Sequence, residues 1–251
     1  MIWRHELKYL IDEATFQQLF FTLRPILHTD QHVVSESMPE FSHYRVRSLY
    51  FDDFGKSGVF DKMTGSDPRH KFRIRIYNDS DQVIRLEKKI KKGRMTHKQS
   101  CPLSREETDQ LLDGHADVLV EHLLPAFRNK PDKLLPLKAQ FYADIRTKLL
   151  RPALLVDYLR TPLIWPDGNV RITFDRFLST GHYRSDLWDP ESSMQPVHES
   201  SEVILEVKFD HFLPDFIRHL LPLAGASPLS ISKYVQCAAW IRQANWEDQS
   251  L

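Results

Sequence analysis

Several short stretches of this 251-residue chain alternate charged with apolar residues at a spacing of two, and the charged members are the types that hold phosphate. Lys71, Arg73 and Arg75 alternate with Phe72, Ile74 and Ile76, while Arg85, Glu87, Lys89 and Lys91 oppose Ile84, Leu86 and Ile90. The sets Arg4/Glu6/Lys8, Arg171/Asp175 and Glu206/Lys208 repeat the pattern. In a strand, residues two apart share a face. Guanidinium forks on such a face suit bidentate phosphate contacts, and ammonium groups act as point charges. A carboxylate among them suits a hard divalent cation, which takes few protein ligands and fills its shell with phosphate oxygens and water.

The elements that must position these residues follow from the same periodicities. Residues 3–11 read as a strand, after which Asp12 caps a helix with Phe16, Leu19, Phe20, Leu23 and Leu27 at helical spacing. Residues 45–52 are strand-like, and the glycine-containing 54–70 reads as turn and loop. The turn NDSDQ (78–82) joins the two basic strands as a hairpin, and Lys92-Gly93-Arg94 turns into a further strand at 96–101. Ser104-Arg105-Glu106-Glu107 is a capping box that opens a helical insertion at about 104–150, interrupted by Pro125, Pro131 and Pro136. Strands at 153–160, 170–177 and 203–209 precede C-terminal helices within about 212–246. With no internal repeat or low-complexity linker, residues 1–251 read as one α+β domain with a mostly antiparallel sheet.

The apolar stripes of the helices need an apolar sheet face, which the strands supply. An antiparallel barrel of about eight strands, closed or nearly closed with its apolar side under helices, would turn the charged side into the lining of a tunnel. The plainer alternative is a sheet whose charged face meets solvent. A tunnel lined by Arg and Lys requires an anionic guest or compensating acids, because unpaired buried charge is costly. A polyphosphate chain meets that requirement.

Composition narrows the choice. The 34 basic and 34 acidic residues give zero net charge, yet residues 69–98 hold eleven Lys or Arg against three acids, while 185–207 hold six acids and no Lys or Arg. A neutral chain with a segregated basic segment points to local anion binding. A hydrophobic fraction of 41% suffices for a core and excludes a disordered chain. The absence of an apolar run of roughly 20 residues and of a signal peptide predicts a cytoplasmic protein without a transmembrane segment. Cys101 and Cys237 lie far apart, consistent with a reducing compartment, and the 12 histidines show no metal-binding spacing. Basic residues alternate with apolar ones and lack interleaved aromatics, which argues against nucleic acid. Trp240 and Trp246 read as helix packing, and Lys91, Lys92 and Arg94 as tunnel mouth or solvent-facing residues.

Eight motifs carry a family resemblance: RHELKY (4–9), SLYFDD (48–53), KFRIRIY (71–77), LEKKIK (86–91), RPALLVDYLR (151–160), VRITFD (170–175), LEVKF (205–209) and ISKY (231–234). In this order they resemble the triphosphate tunnel metalloenzymes, and more closely the catalytic VTC domain of polyphosphate polymerases. The resemblance implies phosphate binding by Lys8, Arg73, Arg75, Lys89, Lys98, Tyr158, Arg160, Arg171, Lys208, Ser232 and Lys233, with Arg73, Arg75, Lys89, Arg171 and Lys233 as the catalytic set. It assigns a divalent metal, Mn²⁺ or Mg²⁺, to Glu206, with Glu6 and then Glu87 as further contacts or salt-bridge partners. The implied activity is transfer of the terminal phosphate of a nucleoside triphosphate, ATP foremost, to a growing polyphosphate chain, at the inner face of a membrane if a separate membrane partner takes part. Hydrolysis of tripolyphosphate or a nucleoside triphosphate, and a non-catalytic polyphosphate or inositol-phosphate binding module, are the alternatives. His5-Glu6-Leu7-Lys8 holds one of the two glutamates of the hydrolytic ExExK pattern, which favours the polymerase, whereas Ser230 stands where polymerase relatives can carry a lysine.

Overall fold

Period-two alternation becomes a closed barrel. In chain order the strands are β1 (Arg4–Asp12), β2 (His28–Thr29), β3 (Tyr44–Asp52), β4 (Arg69–Tyr77), β5 (Ser80–Lys92), β6 (Met95–Leu103), β7 (Arg151–Trp165), β8 (Val170–His182), β9 (Gln195–Pro196) and β10 (Glu202–Phe209). The computed structural model describes residues 3–30, 41–121, 137–182, 187–190, 192–197, 201–221 and 227–247. The order β7-β3-β4-β5-β6-β1-β10-β8 is antiparallel throughout, and β8 pairs again with β7, so eight strands close on themselves and β2 and β9 lie outside the ring. Asn78 and Asp79, both at φ 52°, make the β4–β5 connection a two-residue turn between Tyr77 and Ser80. Gly93 at φ 54° supplies the left-handed residue between β5 and β6.

Six α-helices among the described residues pack around the barrel. Asp12 caps the Glu13–Leu23 helix by accepting from the Thr15 N–H at 2.7 Å, and Phe16, Leu19, Phe20 and Leu23 are buried against Tyr9, Ile172, Phe174, Leu205 and Val207. The capping box of Ser104 and Glu107 starts the Arg105–Leu112 helix, and Leu137–Lys148 continues the insertion. These cover Phe51, Phe72, Ile74, Ile76 and Leu86, with Phe72 and Phe141 stacked at 4.7 Å. Each such side chain taken fully out of water contributes roughly 1.5–3 kcal/mol. The apolar faces therefore point outward, as the sequence predicts.

Two expectations need correction. The segment read as loop after β3 contains a helix, Ser57–Met63. It has no apolar period, and long-range capping starts it: Asp52 Oδ1 accepts from the Gly58 N–H at 2.9 Å and Asp53 Oδ1 from the Ser57 N–H at 3.0 Å. Gly58 is needed there, because a Cβ would lie 3.0 Å from an Asp52 oxygen. The barrel interior, expected to be charged throughout, is charged in one part only. Tyr44, Val46, Leu154, Val156 and Ile204 form an inward apolar cluster with Tyr234 and Cys237 of the last helix, Lys233–Glu247. The cause is visible in β3 and β7, which carry apolar residues on both faces and are buried on both. Trp240 is half-buried, whereas the side chain of Trp246, the residues Pro125, Pro131 and Pro136, and the acids Asp186, Glu191 and Glu199 lie outside the described residues. Among the described residues no helix is long and apolar enough to cross a membrane.

Candidate functional site

Inward side chains of β1, β3, β4, β5, β6, β7 and β10, with the start of the last helix, line a cavity of about 140 Å³ inside the barrel. Strand register sets the pairings within it. Arg73 stands opposite Glu87 and binds Glu87 Oε2 through Nε at 2.8 Å and Nη2 at 2.6 Å, while its Nη1 donates to the Tyr50 hydroxyl at 2.7 Å. Arg75 donates to Ser48 Oγ at 3.0 Å and to the Tyr158 hydroxyl at 3.1 Å. Because that oxygen accepts, the Tyr158 hydroxyl keeps its own hydrogen for donation, and burial pushes its pKa up so that the phenol stays protonated.

A second group forms where β1 meets β10. Lys8 is opposite Glu206 and Glu6 opposite Lys208. The Lys8 ammonium lies 3.0 Å from both Glu6 and Glu206, Lys208 lies 2.7 Å from Glu206, and Lys89 lies 2.8 Å from Glu6. Lys233, the first residue of the last helix, reaches Glu206 at 3.0 Å and Asp175 at 2.6 Å. Asp175 also receives both forks of Arg160 at 2.7 Å. Burial alone would raise the Glu206 carboxyl, but Lys208, Lys233, Lys8 and Arg160 hold it well below the usual carboxylate range. Glu6 and Glu87 are likewise held low against their burial, Glu6 by Lys8 and Lys89 and Glu87 by Arg73, Arg75 and Lys98. Burial, with Lys8 and Lys208 alongside, pushes Lys89 down to about 8 in spite of Glu6.

Glu6 and Glu206 are the two carboxylates among the described lining residues. No three His, Cys, Asp or Glu side chains group as metal ligands among the described residues. This donor set does not make a closed protein cage. It does fit Mg²⁺ or Mn²⁺ held by one or two carboxylates, with phosphate oxygens and water completing the shell.

The cavity thus brings together Lys8, Arg73, Arg75, Lys89, Tyr158, Arg160, Lys208, Ser232 and Lys233 with Glu6 and Glu206. Two expected phosphate ligands are placed elsewhere. Arg171 shares the inward face of β8, but its Nη2 turns to Asp30, 2.6 Å away, and to the Tyr44 hydroxyl at 2.9 Å. Lys98, half-exposed, binds Glu87 at 2.8 Å and supports that carboxylate instead of lining the cavity. Lys91 lines the cavity, whereas Lys92 and Arg94 are exposed. The site also contains residues to which the sequence assigned no site role. Asp175, Arg69 and Lys71 carry the same strand parity as Arg171 and Arg73, which was the available signal. Lys62 sits on the unanticipated Ser57–Met63 helix, and no signal marked it. Its ammonium donates to Ser230 Oγ at 2.6 Å.

Residues 3–242 match the family model described as the VTC domain. No curated protein matches the sequence. Among solved structures, the "putative adenylate cyclase" of Bacillus halodurans is similar at 12% identity and TM-score 0.48, over 92% of this chain and 96% of that one. The PH1819 protein of Pyrococcus horikoshii OT3 is similar at 12% identity and TM-score 0.44, over 93% and 96% of the two chains. The PH1012 protein of the same organism follows at 9% identity and TM-score 0.43, over 93% and 98%.

Proposed function

The chain belongs to the VTC domain family, and from that premise we propose that it is a metal-dependent polyphosphate polymerase using a nucleoside triphosphate, ATP foremost, as phosphoryl donor. The observation that carries this reading is the convergence of Lys8, Arg73, Arg75, Lys89, Lys208 and Lys233 on one cavity whose described lining holds two carboxylates. That surplus of positive charge is what a chain of phosphates neutralises.

Phosphoryl transfer passes through a loose, in-line transition state, so the protein mainly positions the chain and offsets charge on its oxygens. Arg73 and Arg75, fixed from behind by Glu87 and Ser48, present their guanidinium groups to the phosphates in bidentate geometry. Tyr158 donates a hydrogen bond to the same chain, and Lys8, Lys89, Lys208 and Lys233 add point charges. Glu206, with Glu6 beside it, would hold Mg²⁺ or Mn²⁺, which supplies further neutralisation of the phosphate oxygens. An oxygen of the acceptor's terminal phosphate attacks the γ-phosphorus, the bond from that phosphorus to the β–γ bridging oxygen breaks, and the nucleoside diphosphate leaves. No side-chain nucleophile is required. Of the catalytic set, Arg73, Arg75, Lys89 and Lys233 line the cavity, and Arg171 reaches Asp30 and the Tyr44 hydroxyl from the inward face of β8.

Incubation with ATP and Mn²⁺ or Mg²⁺ tests the reading, with products resolved as long-chain polyphosphate or orthophosphate. Long-chain product is expected, and Lys89→Met should cut its formation at least tenfold while the protein stays folded. Orthophosphate alone would replace the polymerase by a triphosphatase, and binding without any product would leave a sensor module.

A further inference from the structure

Four cations of the same cavity stand apart from those that hold the inner site. Lys62, Arg69, Lys71 and Lys91 line it, yet among the described residues none has a carboxylate at ion-pair distance. The β4–β5 register sets Arg69 directly opposite Lys91 and Lys71 directly opposite Lys89 on the inward face. Like charges facing each other across a strand pair are destabilising; Arg75 and Lys89 also face cations, Arg85 and Lys98, but Glu87 and Glu6 offset them, whereas the four outer cations have no such carboxylate among the described residues.

Lys71 carries the argument furthest. Its ammonium is buried, has no hydrogen-bond partner among the described residues and lies 4.6 Å over the ring of Tyr234. The neighbouring carboxylate, Asp52, is occupied by the Tyr234 hydroxyl and the Gly58 N–H. Among the described residues Arg69 donates only to the Ser66 carbonyl, at 2.8 Å, and Lys62 to Ser230. Burial pushes Lys71 down to about 7, with Arg69, Lys62 and Lys89 adding repulsion that Asp52 offsets in part, and Lys62 and Lys91 are shifted down as well. A buried ammonium without an acceptor costs free energy unless a ligand supplies the acceptor.

We propose that Lys62, Arg69, Lys71 and Lys91 form a second anion site, continuous with the inner one, which takes the phosphates of a linear polyphosphate beyond the triphosphate unit and so makes the cavity prefer long chains. This rests on the reading that the inner cations hold a phosphate chain. The outer residues, like Lys8, Arg73, Lys89 and Lys208 of the inner set, are half-exposed, whereas Arg75, Arg160, Glu206 and Lys233 are buried. Lys62, hydrogen-bonded to Ser230, delivers a cation next to a position where the chain itself carries a hydroxyl.

The test is calorimetric titration of metal-free protein with tripolyphosphate and, separately, with a linear polyphosphate of medium length, for the wild type and for a Lys62→Met, Lys71→Met, Lys91→Met triple variant. Methionine keeps the aliphatic volume while removing the charge. The wild type should bind the long chain at least tenfold more tightly than tripolyphosphate. The variant should keep its tripolyphosphate affinity within about threefold and lose the long-chain advantage by about tenfold or more. Without anion the variant should melt at the wild-type temperature or above it, because it relieves repulsion. A variant that retains the preference, a wild type that binds both ligands equally, or a variant that melts several degrees lower would overturn the second site and leave the polymerase reading standing. A wild type that does not bind tripolyphosphate would overturn both.

Discussion

Inner and outer cations of one cavity are held in opposite ways. Around Glu206, Asp175, Glu6 and Glu87 every basic side chain has a carboxylate at ion-pair distance, and register sets Arg73 across from Glu87, Lys8 across from Glu206 and Lys208 across from Glu6. At the Arg69/Lys91 and Lys71/Lys89 positions the same kind of register places cation across from cation. The inner set is preorganised: its geometry exists before a ligand arrives, so little reorganisation accompanies binding. The outer set is poised, and its repulsion is relieved only when an anion enters. Charge of one sign on one sheet can thus serve as scaffold or as binding potential, according to whether a carboxylate reaches it at ion-pair distance.

Removing an acceptor from the inner set should have the largest effect. Glu206→Gln leaves Lys8, Lys208 and Lys233 partly unpaired in a buried site, and breaking such a network costs about 3–5 kcal/mol, readable as a shift in the urea midpoint. Arg160→Lys is smaller, because one of its two bonds to Asp175 survives in part; a loss of about 1.5–3 kcal/mol is expected. If both variants behave as wild type, the inner pairs are not a scaffold.

Titration separates the two regions by pH window. The inner carboxylates are held below the usual glutamate value of 4.5, so their pairs contribute fully at neutral pH, and that stability is lost as pH falls below 4.5 toward their folded-state values. Lys71 has the opposite character. Its pKa falls from 10.5 unfolded to about 7 folded, so the unfolded chain binds more protons in that window and stability rises with pH from about 7 to 10.5. Comparing wild type with Lys71→Met by denaturation at several pH values should show that slope shrink in the variant, and equal slopes would mean that Lys71 does not feel its neighbours. The smallest effect is expected from Lys91→Ser in the absence of anion, within about 0.5 kcal/mol of wild type by the same assay.

The barrel was legible because alternation in β1, β4, β5, β8 and β10 fixed which residues share a face, and helices with apolar stripes told which face they cover. What stayed hidden depended on side-chain contacts that leave no periodic signal in the sequence. The Ser57–Met63 helix has no apolar period and starts on the carboxylates of Asp52 and Asp53. Parity placed Arg171 correctly on the inward face of β8, but Asp30, 141 positions away in the chain, decides where its guanidinium goes. Strand alternation was equally blind to the apolar part of the interior, since in β3 and β7 both faces are apolar and the side taken by the last helix is a tertiary choice. The division between paired and unpaired cations belongs to the same class, because it depends on which side chains reach a carboxylate on another strand, as Lys89 reaches Glu6 of β1, and not on charge counts.

A crystal structure of the protein grown with a linear polyphosphate tests the central claim most directly. The account predicts phosphates running through the cavity, with the inner units on Arg73, Arg75, Lys8 and Lys233 and the outer units within hydrogen-bond distance of Lys71 and Lys91. Density for the chain on the outer surface of the barrel, with the cavity free of phosphate, would contradict it.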